Sequence, residues 1–228
     1  MSTWLITGVG RGIGRELARA LLMRGERVIG TLRDPAQISA ELSACAASGS
    51  LKLVALDVRD GASIADAARQ VDEPIDVLIN NAGVIGPQRQ STLDMDFDGF
   101  LDTFAVNTLG PLRVVQAFLP HLRKAGAAKI VTISSRMGSL SYAKSDRIAY
   151  RASKAAVNKV VQGLATDLQA EGIVAIAVHP GWVRTDMGGA GADIPVEESA
   201  AGIIRLIDRM TLRETGRFFD WTGAGLSF

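Results

Sequence analysis

The chain has 228 residues, 47% of them hydrophobic, and its charged side chains almost cancel to a net charge of +1. This length fits one domain and supplies enough apolar side chains for a sizeable core. The balanced charge argues against nucleic acid or an anionic membrane as a partner, and the single cysteine, Cys45, excludes an internal disulfide framework. Because no apolar run approaches the ~18 residues of a membrane span and the first residues lack the pattern of a secretory signal, we expect a cytoplasmic protein.

Short apolar runs alternate along the chain with longer segments of helical spacing. The runs that predict strands are Trp4–Thr7, Arg27–Leu32, Leu51–Leu56, Ile75–Ile79, Lys129–Ile133, Ile173–Val178 and Arg217–Phe219. The segments that predict helices are Ile13–Arg24, Ala36–Ala47, Ala62–Val71, Phe97–Lys124, Tyr150–Glu171 and Val196–Met210. Since the strand runs are apolar almost throughout, each strand should be covered on both faces. The repeated strand–helix order therefore predicts an α/β fold, a doubly wound parallel sheet within one domain over residues 1–228.

A glycine-rich turn joins the first predicted strand to the first predicted helix, over Thr7-Gly8-Val9-Gly10-Arg11-Gly12-Ile13-Gly14. Glycine allows sharp turns and close approach of the backbone to a ligand. The helix that follows offers N–H groups and a positive dipole end to a pyrophosphate. The spacing differs from the plain G-x-G-x-x-G fingerprint, and a turn without a ligand is the alternative, but the position between strand and helix favours phosphate binding.

Polar residues follow the third and fourth predicted strands. Asp57 ends the third strand, at the sheet edge where α/β proteins bind ligands. Its carboxylate could accept a hydrogen bond from an adenine amino group, or it could simply be a helix cap or loop carboxylate. The run Asn80-Asn81-Ala82-Gly83 closes the fourth strand, and its amides could tie strand ends together beside a cofactor. An ordinary turn is the alternative there, because Asn and Gly are turn residues.

Tyr150 and Lys154 are four residues apart in a predicted helix and so share one helix face. A phenol, with a reference pKa of about 10, is a poor proton donor near neutral pH. A nearby positive charge favours the phenolate and lowers that pKa. The pair is therefore a candidate acid/base catalyst, although the same spacing also occurs by chance on solvated helices.

Taken together, these residues resemble the short-chain dehydrogenase/reductase family over nearly the whole chain. The motifs that carry the resemblance are Thr7–Gly14, Asp57, Asn80–Gly83, Asn107, Ile133-Ser134-Ser135, Tyr150–Lys154 and Pro180–Thr185. More narrowly, the chain resembles the carbonyl-reductase-like branch that includes the C-factor and sniffer proteins, in the runs Ile133–Gly138, Gly181–Gly189 and Arg217–Asp220 and in the segment around Tyr150. The family implies a Rossmann-type sheet of strand order 3-2-1-4-5-6-7, a nicotinamide cofactor and a catalytic Asn–Ser–Tyr–Lys set.

The resemblance also implies a role for each catalytic residue. Tyr150 would donate a proton to a carbonyl oxygen, and Lys154 would lower the Tyr150 pKa and contact the nicotinamide ribose. Ser135, rather than Ser134, would hydrogen-bond the substrate oxygen. Asn107 would hold a water that links Lys154 to solvent, although a locally bonded helix-interior Asn is the alternative. The implied cofactor-binding residues are Gly8, Arg11, Gly12, Ile13, Gly14, Arg33, Asp57, Val58, Asn81, Ala82, Gly83, Tyr150, Lys154, Pro180, Gly181, Val183 and Thr185.

The end of the second strand distinguishes NADP from NAD. An acidic residue there would bind the ribose 2′-OH and repel a 2′-phosphate, but this position is Leu32, and Arg33 follows it. Arg11 is a second basic residue on the same side, and arginine suits phosphate recognition. The sequence therefore favours NADP(H), with NAD(H) possible. A pair between Arg33 and the neighbouring Asp34 would weaken this preference without reversing it.

The leading hypothesis is an NADP(H)-dependent reductase of a ketone or aldehyde. The alternatives are oxidation of a secondary alcohol and a dinucleotide-binding regulatory or signalling protein without turnover.

The two histidines have no other ligand at metal spacing, so we expect no metal site. Fourteen residues separate Ser135 from Tyr150, more than is common in the family. The polar stretch Leu140–Ile148 within them should shape the rim of the site. By analogy alone, a homodimer or homotetramer is possible.

Overall fold

The computed structural model describes residues 1–141 and 143–228. One sheet carries all eight strands in the order β3-β2-β1-β4-β5-β6-β7-β8. The strands are β1 (Thr3–Thr7), β2 (Arg27–Leu32), β3 (Leu51–Ala55), β4 (Val77–Asn80), β5 (Lys129–Ile133), β6 (Val174–His179), β7 (Phe218–Asp220) and β8 (Gly225–Leu226). The first seven are parallel, as expected, and their order matches the family expectation. The antiparallel β8 is an addition to the predicted sheet.

Seven α-helices cover the sheet in the described part of the chain. They are α1 (Gly12–Met23), α2 (Ala40–Ala47), α3 (Gly61–Arg69), α4 (Phe97–Phe104), α5 (Gly110–Ala125), α6 (Ile148–Leu168) and α7 (Val196–Arg209). No described helix is long and apolar enough to cross a membrane. Two predicted helices differ from the structure. The segment 36–47 divides into a short 3₁₀ turn and α2, and the segment 97–124 is interrupted by a π-helical turn over Ala105–Leu109.

The core has two layers, one on each face of the sheet. Neighbouring residues on β1 belong to opposite layers: Ile6 packs with α1 and α7, whereas Leu5 packs with α3, α5 and α6. Both side chains are fully buried. This arrangement explains why the strand sequences are apolar without alternation. Because all seven main strands run the same way, their carboxyl ends meet at one edge, where a doubly wound sheet binds its ligands.

Candidate active site

The glycine turn fits a phosphate-bearing cofactor. Gly8 and Gly12 have left-handed backbone torsions, with φ of +78° and +55°, which glycine adopts without strain. Gly14 packs so closely on the Gly8 carbonyl and on Asn81 Nδ2 that a methyl group would overlap both. Within the described structure, Arg11 precedes α1 without making a side-chain cap, and the first helical turn has no acidic residue. The N-terminal N–H groups of α1 are therefore available to an anion such as a pyrophosphate.

Asn81 ties the end of β4 to the end of β1. Its Nδ2 donates hydrogen bonds to the carbonyl oxygens of Thr7 and Gly8, at 2.9 and 3.2 Å. In return, Thr7 Oγ1 accepts hydrogen bonds from the backbone N–H groups of Asn81 and Ala82, at 3.0 and 3.1 Å. These bonds hold the glycine turn against the strand end, as expected of the amides at this position. The sequence predicted no contact for the Thr7 hydroxyl, which completes the connection between the ends of β1 and β4.

Tyr150, Lys154 and Ser135 converge beside the ends of β4 and β5. Tyr150 and Lys154 are both buried on one face of α6, and Lys154 Nζ lies 5.7 Å from the centre of the Tyr150 ring. Lys154 Nζ donates a 2.8 Å hydrogen bond to the Ile133 carbonyl oxygen. Gly83 borders the same ammonium group, because a methyl group on Gly83 would come within 3.7 Å of it. The i,i+4 prediction for Tyr150 and Lys154 thus gives the correct geometry.

Burial controls the ionisation of both groups. Burial raises the pKa of the Tyr150 phenol above 10.0, and the neighbouring Ser135 hydroxyl and then the Arg147 charge partly offset that rise. Burial lowers the pKa of the Lys154 ammonium to about 8. In this structure the expected lowering of the Tyr150 pKa by Lys154 is therefore not the dominant effect. The Tyr150 phenol is therefore protonated near neutral pH, and the Lys154 ammonium, with a pKa of about 8, loses its proton in mildly basic solution.

The two adjacent serines have different surroundings. Ser134 Oγ donates a 2.6 Å hydrogen bond to Asn158 Oδ1 inside the protein. Ser135 Oγ accepts a hydrogen bond from the Met137 N–H at 3.1 Å and lies next to the Tyr150 phenol. Only Ser135 is thus placed to meet a group bound at Tyr150, which agrees with the choice made from the sequence.

Asn107 lies at the centre of the π-helical turn and is buried. Its side chain bonds the backbone of Val84 in both directions, accepting from the N–H and donating to the carbonyl, each at 2.9 Å. Its Nδ2 also donates to Ser153 Oγ at 3.0 Å. The side chain thus joins the segment after β4 to α6. Because a π turn displaces the regular backbone hydrogen bonds, it is also a common feature of functional sites.

Three charged residues of the expected cofactor set differ in position: Asp57 and Arg33 follow β3 and β2, whereas the Arg11 side chain reaches Asp186 in the segment after β6. Asp57 pairs with Arg59 at 2.8 Å, and this hydrogen bond lowers the carboxyl pKa. Arg11 pairs with Asp186 at 3.2 Å, but both side chains are 76% exposed, so the pair contributes little stability. Arg33 is exposed and takes part in no ion pair among residues 1–141 and 143–228.

The carboxylate of Asp34 accepts from the Ala36 N–H and from Gln37 Nε2, each at 3.0 Å. The structure therefore gives no support to the alternative that Arg33 pairs with Asp34.

The segment after β6 reaches the glycine turn. Thr185 packs against Gly12, and Thr185 Oγ1 accepts a hydrogen bond from the Gly188 N–H at 3.2 Å. Val183 is buried and pairs with Ile194 in a short parallel bridge. These contacts place Val183 and Thr185 near the other expected cofactor residues.

The remaining expected cofactor residues are also placed by the fold. Pro180 and Gly181 follow β6 directly, and the Pro180 carbonyl accepts from Ser199 Oγ at 2.6 Å. Ile13 and Val58 pack against the two core layers, Ile13 from α1 and Val58 from the turn between β3 and α3. Contact with a cofactor stays a prediction for every residue of this set.

Gln90 is a site residue that sequence reasoning missed. Its backbone carbonyl accepts from the Ile148 N–H at 2.8 Å, and its Oε1 accepts from the Tyr150 N–H at 3.1 Å. Its Nε2 donates to the carbonyl oxygens of Ile85 and Pro87, at 3.0 and 2.6 Å. Gln90 therefore caps α6 from a loop and fixes the backbone of Tyr150. The two residues are sixty positions apart, so no local motif predicts the contact.

Comparison with known proteins agrees with this geometry. The sequence profile described as "short chain dehydrogenase" matches residues 2–193. The chain belongs to the short-chain dehydrogenase family. A C-signal protein of Myxococcus xanthus is 48% identical over 152 residues, which cover 66% of this chain and 90% of that protein. Membership of an oxidoreductase family is thus confirmed.

Two solved structures share the fold over the full chain. The NADPH-bound carbonyl reductase from chicken fatty liver superposes with a TM-score of 0.92 at 32% identity, covering 100% of this chain and 99% of that one. The carbonyl reductase Sniffer of D. melanogaster gives 0.93 at 29% identity, covering both chains completely. With the C-signal relative, these neighbours also confirm the narrower resemblance to the C-factor and sniffer branch.

Proposed function

We propose that this protein is an NADP(H)-dependent reductase of a ketone or aldehyde, with Tyr150 as the proton donor. The observation that carries the proposal is the convergence of a buried tyrosine, a buried lysine 5.7 Å from its ring, and a serine hydroxyl beside the phenol. A protein that only binds dinucleotides needs no such proton-transfer group. The carbonyl reductase neighbours support the reaction class.

In this proposal the carbonyl oxygen of the substrate accepts hydrogen bonds from Ser135 and Tyr150. When bound, the nicotinamide cofactor would supply the hydride for the carbonyl carbon. As negative charge develops on the oxygen, the Tyr150 hydroxyl donates its proton, and the Lys154 ammonium favours the phenolate that remains. The high pKa of buried Tyr150 keeps the donor protonated before the transfer. Ser135 holds the oxygen in line with the phenol.

The proton that leaves Tyr150 must be replaced from solvent. Asn107 is suited to hold the water required for this, but through its backbone, because both Nδ2 protons already serve Val84 and Ser153. The π turn displaces the backbone hydrogen bonds at this residue. A water there would lie between the Lys154 ammonium and solvent, which is the role that the resemblance implies.

Arg33 supports the choice of NADP over NAD. It follows the buried Leu32 at the end of β2, and no acid occupies the ribose position. The guanidinium can form charge-assisted hydrogen bonds with a 2′-phosphate. The chicken carbonyl reductase was crystallised with NADPH, which supports the same assignment. The small-molecule substrate is a carbonyl compound in one direction and an alcohol in the other.

A signalling role is the second candidate, because the C-signal protein is 48% identical to this chain over 152 residues. The deciding experiment measures NADPH consumption with a panel of ketones and aldehydes, and NADPH binding, for wild type and Tyr150→Phe. The variant keeps the ring and should bind NADPH normally. Its turnover should fall ~10²- to 10⁴-fold, the usual contribution of a general acid. Retention of more than about a tenth of the wild-type rate would overturn the assignment of Tyr150.

The two serines provide a matched control for the same assay. Ser135→Ala should lower turnover, because it removes a hydrogen bond to the reacting oxygen. Ser134→Ala removes the bond to Asn158 and should reduce stability rather than turnover. If no carbonyl compound is reduced by wild type although NADPH binds, the signalling candidate is favoured.

A further inference from the structure

A cavity opens beside the N-terminus of α6. It has a volume of about 510 Å³ and is lined by residues 85–91 together with Asp94 and Arg147. This volume lies in the range that small-molecule sites occupy. Gln90 lines the cavity and also accepts a hydrogen bond from the Tyr150 N–H, so the cavity borders the helix turn that carries the tyrosine.

Arg147 connects this cavity with the catalytic tyrosine. It immediately precedes α6, three residues before Tyr150, and its guanidinium charge is close enough to lower the pKa of the phenol. Its backbone is left-handed, with φ of +52°, the only such residue other than glycine in the described part of the chain. A larger side chain adopts this conformation at a cost, and such strain is concentrated at functional positions.

The charges around the cavity leave Arg147 available for a ligand. Arg89 and Asp94 both line the cavity and pair with each other at 3.1 Å. Asp146, the acid next to Arg147 in sequence, pairs instead with Arg151 at 2.7 Å. Among the residues that the structure describes, no carboxylate forms an ion pair with Arg147. The cavity therefore carries one uncompensated positive charge.

We propose that this cavity binds an anionic group of the substrate, a carboxylate, and that Arg147 is the residue that recognises it. The inference rests on the proposed reductase function and names its substrate class: carbonyl compounds that carry a carboxylate away from the reacting carbon. The guanidinium can form two parallel hydrogen bonds with a carboxylate. The carbonyl group then reaches Tyr150 and Ser135 from the cavity side.

The test compares para-carboxybenzaldehyde with its methyl ester, which differs mainly in charge. Wild type should favour the carboxylate by about fivefold in kcat/KM, which corresponds to ~1 kcal/mol, the upper end of the range for an exposed ion pair. Arg147→Gln should bring the ratio of the two substrates close to one, and Arg147→Lys should restore most of it. Arg205→Gln, which removes an equal charge from the exposed side of α7, should leave the ratio unchanged.

A wild-type ratio near one would overturn the proposal, as would a ratio that survives Arg147→Gln or falls equally in Arg205→Gln. Binding of both aldehydes to Tyr150→Phe saturated with NADPH, measured by calorimetry, separates the subsite from the chemistry. If wild type consumes neither these aldehydes nor any compound of the ketone and aldehyde panel, the reductase function fails. The subsite still stands if the carboxylate binds more tightly than the ester and loses that advantage when Arg147→Gln is added. Equal binding in that background would refute it.

Discussion

A methyl group on Gly14 would force the glycine turn away from the end of β4. It would overlap the Gly8 carbonyl oxygen and Asn81 Nδ2, and it would lie 3.0 Å from the Gly8 carbonyl carbon. The backbone must move by roughly 1 Å to reach an ordinary carbon–oxygen contact. That movement lengthens the two hydrogen bonds that Asn81 donates to Thr7 and Gly8.

The size of the effect follows from three contributions. Overpacking a tight contact costs ~1–3 kcal/mol, and each weakened hydrogen bond costs a further ~0.5–1.5 kcal/mol. Alanine stabilises a helix by ~0.5–1 kcal/mol relative to glycine, which partly offsets these losses. We therefore expect Gly14→Ala to reduce the free energy of unfolding by about 3 kcal/mol. NADPH affinity should also fall by about tenfold or more, because the displaced glycine turn no longer fits the pyrophosphate. A tenfold loss corresponds to about 1.4 kcal/mol of binding free energy.

Urea unfolding with and without NADPH measures both effects, and Gly163→Ala is the matched control. Gly163 lies in α6, and a methyl group there would meet no described atom within 4 Å. This variant should gain ~0.5–1 kcal/mol with normal NADPH affinity. If Gly14→Ala unfolds at the wild-type urea concentration and binds NADPH normally, the close contact is not needed and the argument is wrong.

Three further substitutions test other parts of the site. Lys154 is charged below its pKa of about 8 and neutral above it, so kcat/KM for reduction should fall as pH rises through about 8. In Lys154→Arg this fall should move to higher pH, and a fall that stays near pH 8 would show that another group titrates. Arg33→Ala should weaken NADPH binding by ~1.5–3 kcal/mol with little effect on NADH binding, and Leu32→Asp should weaken NADPH binding further. Titration of both cofactors checks this, and equal losses of NADPH and NADH affinity in Arg33→Ala would show that Arg33 has a structural role. Gln90→Leu removes the acceptor for the Tyr150 N–H, so kcat should fall more than NADPH affinity. Gln90→Glu keeps an acceptor and should retain more of the rate, and equal kcat values in the two variants would contradict this positioning role.

The fold was predictable because its signals are local. Apolar runs without alternation identified strands buried on both faces, and the strand–helix order gave a parallel doubly wound sheet. Tyr150 and Lys154 share a helix face for the same local reason, the i,i+4 spacing. Strand β8 was missed because Gly225–Leu226 is only two residues long. It pairs with β7 after a turn in which Asp220 Oδ1 accepts from backbone N–H groups.

Contacts between distant parts of the chain were not predictable from local patterns. Asn107 lies in a segment with continuous helical spacing, and the sequence does not show that a π turn replaces regular helix there. The Thr7–Asn81 connection links residues 74 positions apart. The pKa of Tyr150 also depends on the tertiary structure. Spacing suggested a lowered value from Lys154, whereas burial of the phenol raises it.

The contacts of Gln90 imply that substrate binding and catalysis share one structural support. Residues 85–91 line the cavity, and Gln90 fastens this segment internally through Ile85 and Pro87 while it caps the first turn of α6. Any ligand that displaces the segment must therefore also disturb the backbone of Tyr150. In the proposed reaction, a substrate that fits the cavity would leave Tyr150 in position, whereas an oversized one would move the proposed proton donor away from the carbonyl. Discrimination between substrates should consequently appear in kcat as well as in KM, because the same glutamine connects the binding surface with the reacting group.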